Sequence, residues 1–139
     1  MKLSKFSSSN QFSKILWKIK TGGGISTVDE ISNGILVTSL DNFIYLFNKE
    51  NGKIIWKKRL GARILYRPLI RAEFIIAVDS GEDNAYILDI KTGKLINKIE
   101  INQDAFFTST PLITSKIILF PTNIGVYIFS SSSCYKKAG

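Results

Sequence analysis

The chain has 139 residues, of which 45% are hydrophobic and 22% charged, a composition typical of one folded domain and not of a disordered polypeptide. Nineteen Lys and Arg against eleven Asp and Glu give a formal net charge of +8, so an anionic partner has to be considered. The absence of histidine and the single cysteine exclude histidine-based triads, histidine metal sites, internal disulfides and multi-cysteine metal sites.

The N-terminal part of the chain predicts a flexible segment followed by one strand. Residues 1–13 are polar and serine-rich, and they lack the continuous apolar stretch of a signal peptide. Residues 14–20 alternate around Trp17, which predicts a strand. No run of 18 or more apolar residues occurs in the sequence, so no membrane-spanning helix is expected.

Three similar units follow, each made of short runs of β-branched and aromatic residues separated by turn residues. We predict that residues 25–57 and residues 66–99 each form a four-stranded antiparallel meander. Residues 108–130 predict three strands of an incomplete third unit. The predicted fold is therefore all-β.

The units repeat at a constant interval. Tyr45, Tyr86 and Tyr127 are equally spaced along the chain, and Gly52 and Gly93 are separated by the same repeat interval. A four-stranded unit of this length cannot bury both of its faces alone, and the repeat predicts blades that stack around an axis. We therefore expect residues 14–130 to form about three antiparallel blades of a partial β-propeller.

One turn recurs between the third and fourth predicted strands of a unit. Asn48 and Asp89 can accept hydrogen bonds from the backbone amides that follow, and the two glycines can adopt the positive φ of a hairpin turn. Trp56, four residues after the first glycine, is predicted to lie between adjacent blades. The structural repeat motif comprises Trp17, Asn48, Gly52, Lys53, Trp56, Asp89, Thr92, Gly93 and Lys94.

This motif resembles the quinoprotein-type (PQQ-like) repeat, whose usual form is A-x-D-x-x-T-G-K-x-x-W. The resemblance covers about residues 15–130 and includes Pro-Leu-Ile on a first strand. The sequence departs from the pattern at the alanine position, at Asn48, which replaces aspartate, and at Asn97, which replaces the second tryptophan. After Ser130 the motif is not recognisable.

The resemblance implies two different functions. The family includes PQQ-dependent alcohol dehydrogenases and non-enzymatic propellers, among them a subunit of the outer-membrane β-barrel assembly machinery. The dehydrogenases use a carboxylate base, a calcium ion and often an adjacent cysteine pair, which one cysteine cannot supply. We expect a non-catalytic scaffold without a cofactor that binds proteins through a propeller face or strand edges, in the periplasm or at the outer membrane. The alternatives are part of a dehydrogenase whose catalytic residues lie elsewhere, and a repeat protein without activity.

Two further groups of residues are candidates for binding. Residues 79–84 offer oxygen ligands for a hard cation such as calcium, although the same residues are typical of a surface turn, which is the favoured interpretation. Arginine and tyrosine are enriched at protein interfaces, and four such residues flank the first strand of the second unit. The predicted partner-binding residues are Arg63, Tyr66, Arg67 and Arg71, with solvated charges as the alternative.

The remaining lysines are scattered over turns and fourth strands, which is typical of the solvated rim of a sheet, and no nucleic-acid partner is expected. Because propellers normally contain 4 to 8 blades, three blades imply either a piece of a larger propeller, which is the favoured interpretation, or self-association. In the second case, the leading strand of one copy would complete the third unit of another. Residues 131–139 predict a disordered tail, and the closing YKKAG resembles the product of a recombination-cloning site.

Overall fold

Short strands in three antiparallel sheets build the computed structural model of the chain, which describes residues 13–101 and 104–135. Blade 1 contains β1 (Ile25–Ile31), β2 (Gly34–Ser39), β3 (Phe43–Phe47) and β4 (Ile54–Arg59). Blade 2 contains β5 (Leu69–Ile70), β6 (Phe74–Val78), β7 (Asn84–Asp89) and β8 (Leu95–Glu100). Blade 3 contains β9 (Leu112–Ile113), β10 (Ile117–Thr122) and β11 (Gly125–Ser130). In each blade the strands lie side by side in sequence order, so the predicted all-β fold of antiparallel blades is confirmed.

The central strands of blade 2 show why a single blade is not a folding unit. All five residues of β6 are buried, and so are five of the six residues of β7. Successive side chains of a strand point to opposite faces of the sheet, so both faces of blade 2 must be covered. Blades 1 and 3 provide that cover.

Two apolar cores lie between the blades. In the first inter-blade core, Leu36 and Leu46 of blade 1 pack with Ile75 and Tyr86 of blade 2. The second inter-blade core packs residues of blade 2 against blade 3 and the segment before it, and it includes Ile76, Val78, Ile87, Phe107, Ile118 and Phe120. Each fully buried side chain of this size contributes about 1.5–3 kcal/mol. The fold is thus stabilised between repeats, as in other repeat proteins.

Two blade faces have no neighbouring blade among the described residues. The leading face, on the far side of blade 1, consists of Val37, Tyr45 and Phe47, and Ile19 packs against it. The trailing face, on the far side of blade 3, consists of Leu112, Leu119, Val126 and Ile128. Three of these four trailing-face residues are exposed large hydrophobics, Leu119 being the exception.

The structure differs from the prediction at residues 14–20, where no strand is assigned. A strand is recognised by the ladder it forms with a neighbour, and among the described residues none pairs with this segment. Trp17 nevertheless contacts blade 1 at Gly52. Of the predicted flexible segment 1–13, residues 1–12 lie outside the described residues.

The structure also differs from the predicted disordered tail. Residues Ser131–Cys134 form a short 3-10 helix whose N-cap, Ser130, accepts a hydrogen bond from the backbone N–H of Ser132. Cys134 is buried in the second inter-blade core, which explains why this part of the tail is held in place. Residues 136–139, which include most of the YKKAG sequence, lie outside the described residues.

Candidate functional site

The contact between Trp56 and Gly93 is the structural centre of the repeat motif. Trp56 lies on β4, is buried, and donates a hydrogen bond from Nε1 to the carbonyl oxygen of Ile90 at 3.0 Å. Its ring covers Gly93 so closely that a Cβ atom there would lie 2.5 Å from Cε3 of the indole. Gly93 also has a φ of 73°, which a residue with a side chain rarely adopts. Both facts require glycine at this position.

The same contact occurs one blade earlier. A Cβ atom at Gly52, whose φ is also 73°, would lie 2.7 Å from Cε3 of Trp17. Gly52 precedes Gly93 by one repeat interval, and Trp17 precedes Trp56 by nearly the same distance along the chain. Trp17 therefore contacts blade 1 as the fourth-strand tryptophan of blade 1 contacts blade 2.

Side-chain oxygen atoms organise both glycine turns. Oδ1 of Asn48 accepts hydrogen bonds from the backbone N–H groups of Glu50 and Asn51, at 2.7 and 3.3 Å. Oδ1 of Asp89 accepts from the N–H groups of Lys91 and Thr92, at 2.9 and 3.0 Å. These bonds use one acceptor atom in each turn, which an amide supplies as well as a carboxylate does. That explains why asparagine can replace the aspartate of the usual motif.

A third version of the contact joins blades 2 and 3. Asn97 takes the tryptophan position, and its Nδ2 donates a hydrogen bond to the carbonyl oxygen of Ser133 at 3.0 Å. Cys134 takes the glycine position, one repeat interval after Gly93. Cys134 lies in the 3-10 helix and, unlike Gly52 and Gly93, has no positive φ, so this position can carry a side chain.

Tyrosine–aspartate pairs, which the sequence reasoning did not find, fasten the segments between blades. The hydroxyl group of Tyr45 donates to Oδ2 of Asp41 at 2.5 Å, and Gly22 N donates to the same oxygen at 2.9 Å. In blade 2, the hydroxyl group of Tyr86 donates to Oδ2 of Asp79 at 3.1 Å and accepts from Gly61 N at 3.0 Å. The constant spacing of the tyrosines was the available sequence signal.

Burial and hydrogen bonding shift the ionisation of the first pair. Burial raises the pKa of Tyr45 to about 12, with further contributions from the hydrogen bond and the negative charge of Asp41. Burial also raises the pKa of Asp41, but hydrogen bonds, of which that from Tyr45 is the largest, outweigh it and leave the pKa below 3.8. The pair is thus held as a neutral phenol and a carboxylate at neutral pH.

The acidic loop 79–84 uses its first carboxylate, that of Asp79, inside the fold. Asp79 is fully buried, and its Oδ1 accepts from the backbone N–H of Asn84 at 3.1 Å, while Oδ2 accepts from Tyr86. Asp83 has a φ of 58°, a turn conformation that Asp tolerates. Hydrogen bonding and turn geometry therefore account for these residue types. In the part of the chain that the structure describes, no group of three or more acidic or cysteine side chains is placed to hold a metal ion.

The predicted partner-binding arginines do not form one cluster. Arg63 O accepts a hydrogen bond from Ser80 N, beyond the end of β6, whereas Arg71 N donates to Phe74 O at its start. The two arginines therefore lie at opposite ends of that strand. Tyr66 is partly buried and packs against the second inter-blade core.

Arg67, which lies just before β5, connects blade 2 to β1 of blade 1. Its Nη1 donates to Oδ1 of Asp29 at 2.5 Å and to the carbonyl oxygen of Val28 at 3.0 Å. The carbonyl oxygen of Arg67 accepts from Oγ1 of Thr110 at 2.7 Å, which extends the connection towards blade 3. The side chain of Arg67 is 55% exposed, so the ion pair is worth at most about 1 kcal/mol.

One end of the blades carries exposed apolar side chains. In each blade, a backbone N–H in the turn between the second and third strands donates a hydrogen bond to a carbonyl oxygen of the segment that leads into the blade. The donor and acceptor residues are Leu40 and Gly24, Ser80 and Arg63, and Asn123 and Phe106. We call this end of the blades the connector end. Leu40, Phe106 and Ile124 are exposed there. The connector end thus presents three exposed apolar side chains and the exposed Arg63.

Antiparallel sheets of three or four strands that follow one another along the chain and pack face to face, with a tryptophan of one sheet docked on the turn of the next, define a β-propeller repeat protein. A family model described as outer membrane protein assembly factor BamB matches residues 7–131. The chain therefore belongs to this family of PQQ-like repeat proteins, and the resemblance inferred from the repeat motif is confirmed.

Solved structures share the fold. BamB from Moraxella catarrhalis is 16% identical with a TM-score of 0.68, over 88% of this chain and 38% of that one. The computationally designed proteins Ika4 and Ika8 are each 12% identical with a TM-score of 0.64 over 76% of this chain, covering 65% and 33% of their own lengths. The chain thus spans well under half of the BamB structure. No curated protein sequence matches it. No helix among the described residues has the length and hydropathy of a membrane span.

Proposed function

We propose that this chain is a non-catalytic scaffold that binds other proteins during outer-membrane protein assembly. The observation that carries the proposal is the match of residues 7–131 to a family described as an outer-membrane protein assembly factor. The internal design of the blades supports it, because the repeat motif holds blades together and leaves the blade ends for partners.

The connector end is the surface that we assign to the partner. Phe106 and Ile124 belong to neighbouring segments, since Phe106 N donates to Oδ1 of Asn123 at 2.7 Å. Both side chains are exposed, which favours contact with an apolar group of a partner. Arg63 at the same end adds a cationic group, and arginine and aromatic residues dominate the binding energy of many interfaces. Arg71, at the opposite end of β6, does not belong to this surface.

The test is a binding measurement between the purified chain and the purified subunits of the outer-membrane β-barrel assembly machinery of the same organism. We expect one subunit to bind, and Phe106→Asp and Arg63→Glu each to weaken binding about tenfold or more. Leu95→Asp is the matched control, because Leu95 is also exposed but lies on β8. Lack of binding to every subunit, or equal weakening by the control, would contradict the proposal.

A further inference from the structure

The leading and trailing faces are two halves of an interface that the chain already makes twice. Tyr45 of the leading face precedes Tyr86, which lies in the first inter-blade core, by one repeat interval. Ile128 of the trailing face follows Ile87, which lies in the second inter-blade core, by the same interval. The trailing face of one copy and the leading face of another therefore occupy the repeat positions that pack together in the two inter-blade cores.

The strand positions show the same complementarity. Blade 3 has the order β11-β10-β9, so the outer edge of β11 has no strand partner among the described residues. In blades 1 and 2 the corresponding edge is covered by a fourth strand, with Leu46 opposite Trp56 and Ile87 opposite Asn97. Trp17 lies on a segment that contacts blade 1 as a fourth-strand tryptophan does but has no ladder of its own.

We propose that two copies of this chain associate head to tail, with residues 14–20 of each copy forming the fourth strand of blade 3 of the other. The described residues of each copy contribute three blades, so two copies close a ring of six, within the range of 4 to 8 that propellers use. A third copy would exceed that range. The proposal goes beyond the proposed function and does not depend on it.

The repeat fixes the register of the intermolecular ladder. Val126 corresponds to Ile44 and Ala85, which lie opposite Lys58 and Ile99. Those partners are each two residues beyond the tryptophan position, as Ile19 is beyond Trp17. Val126 of one copy should therefore face Ile19 of the other, and Ile128 should face Trp17.

The first test is the mass of the purified chain by light scattering. We expect twice the 15.6 kDa of one copy. Ile128→Lys should give 15.6 kDa, since it places a charge in the new interface. Ile124→Lys should leave the dimer intact, because Ile124 is 60% exposed against 59% for Ile128 but lies in the turn before β11. A monomeric wild-type chain, open polymers, or a dimeric Ile128→Lys variant would overturn the proposal.

The second test is a disulfide across the predicted register, and it does not depend on a charged substitution. Opposed residues of an antiparallel ladder have Cα atoms about 4.5–5.5 Å apart, within reach of a disulfide. Oxidation of Val126→Cys/Ile19→Cys should give a reducible covalent dimer. Val126→Cys/Ile15→Cys is the control, because its second cysteine lies four residues along the strand, about 13 Å away. Equal cross-linking of both variants, or none in the first, would overturn the proposed ladder.

Discussion

A tryptophan on one blade decides which residue the next blade can carry. Gly93→Ala should destabilise the fold for two reasons, because the φ of 73° is strained for alanine and the new Cβ would lie 2.5 Å from Trp56. Strain contributes about 1–3 kcal/mol and overpacking about 1–3 kcal/mol. Urea unfolding should therefore show a loss of about 2–6 kcal/mol.

Gly125→Ala separates those two contributions. Gly125 has a φ of 144°, but nothing lies within 4 Å of a Cβ built there. This variant should lose only the backbone part, about 1–3 kcal/mol. If both alanine variants lost the same free energy of unfolding, the close approach of Trp56 would have no energetic importance.

The hydroxyl group of Tyr45 should stabilise the fold in a pH-dependent way. At neutral pH, Tyr45→Phe removes a hydrogen bond to the Asp41 carboxylate, which should cost about 1.5–3 kcal/mol. The pKa of Tyr45 is raised from 10.0 to about 12 in the folded state, so between these pH values the unfolded chain releases the proton first. The wild-type advantage should be complete below pH 10 and decrease as pH rises towards 12.

The measurement is the free energy of unfolding of both proteins at neutral pH and across pH 10–12. The difference between wild type and Tyr45→Phe cancels the titration of groups that the two proteins share. A difference that stayed constant or grew with pH would show that the phenol is not held neutral by the fold.

At the scale of the strand, Trp56 and Asn97 occupy one position in two blades and should differ in their contribution. Trp56→Ala removes a buried indole from the first inter-blade core, which should cost about 3–5 kcal/mol through the cavity that it leaves. Asn97→Ala loses the hydrogen bond to Ser133 O and the hydrogen bond from Lys98 N, each worth about 0.5–1.5 kcal/mol. Denaturant melts check the ranking, and a loss near zero for Trp56→Ala would remove it from the blade interface.

Strand positions followed from the sequence where turn residues mark both ends. Within the predicted units, β2, β3 and β6 coincide with the apolar runs 34–39, 43–47 and 74–78, which turn residues bound on both sides. The first strands of blades 2 and 3 each form only a two-residue ladder, although the predicted units begin earlier, at residues 66 and 108. Pro68 and Pro111 precede those ladders and lack the N–H group that would extend them.

The site residues that escaped prediction lack a constant pattern. Asp41 precedes its tyrosine by four residues, whereas Asp79 precedes its own by seven. The two aspartates are therefore not separated by the repeat interval that separates the tyrosines. The third turn escaped because Ser130 and Cys134 replace the aspartate and glycine of the motif. Only the packed structure shows that a serine hydroxyl accepts the turn hydrogen bond and that Cys134 lacks the positive φ of the motif glycines.

At the scale of the whole molecule, the blades form a linear series whose stability depends on neighbour contacts. Blade 3 has three strands, and its contact with blade 2 lacks the docked indole. We infer that blade 3 opens more readily than blade 2, and that Asn97 and Cys134 set the difference.

The double variant Asn97→Trp/Cys134→Gly rebuilds the third docking contact and tests that inference. Asn97→Trp alone should destabilise, because the new indole meets the side chain of Cys134, as a Cβ at Gly93 would meet Trp56. Cys134→Gly alone loses a buried side chain and should also destabilise. The double variant should lose about 0.5–3 kcal/mol less free energy of unfolding than the two single variants lose in sum.

Amide hydrogen exchange tests which blade the double variant stabilises. In the wild-type chain the amides of β10 should exchange faster than those of β6, and the double variant should slow β10 while leaving β2 unchanged. Additive single changes, or a uniform effect on all three blades, would mean that the tryptophan–glycine contact does not determine how firmly one blade holds the next.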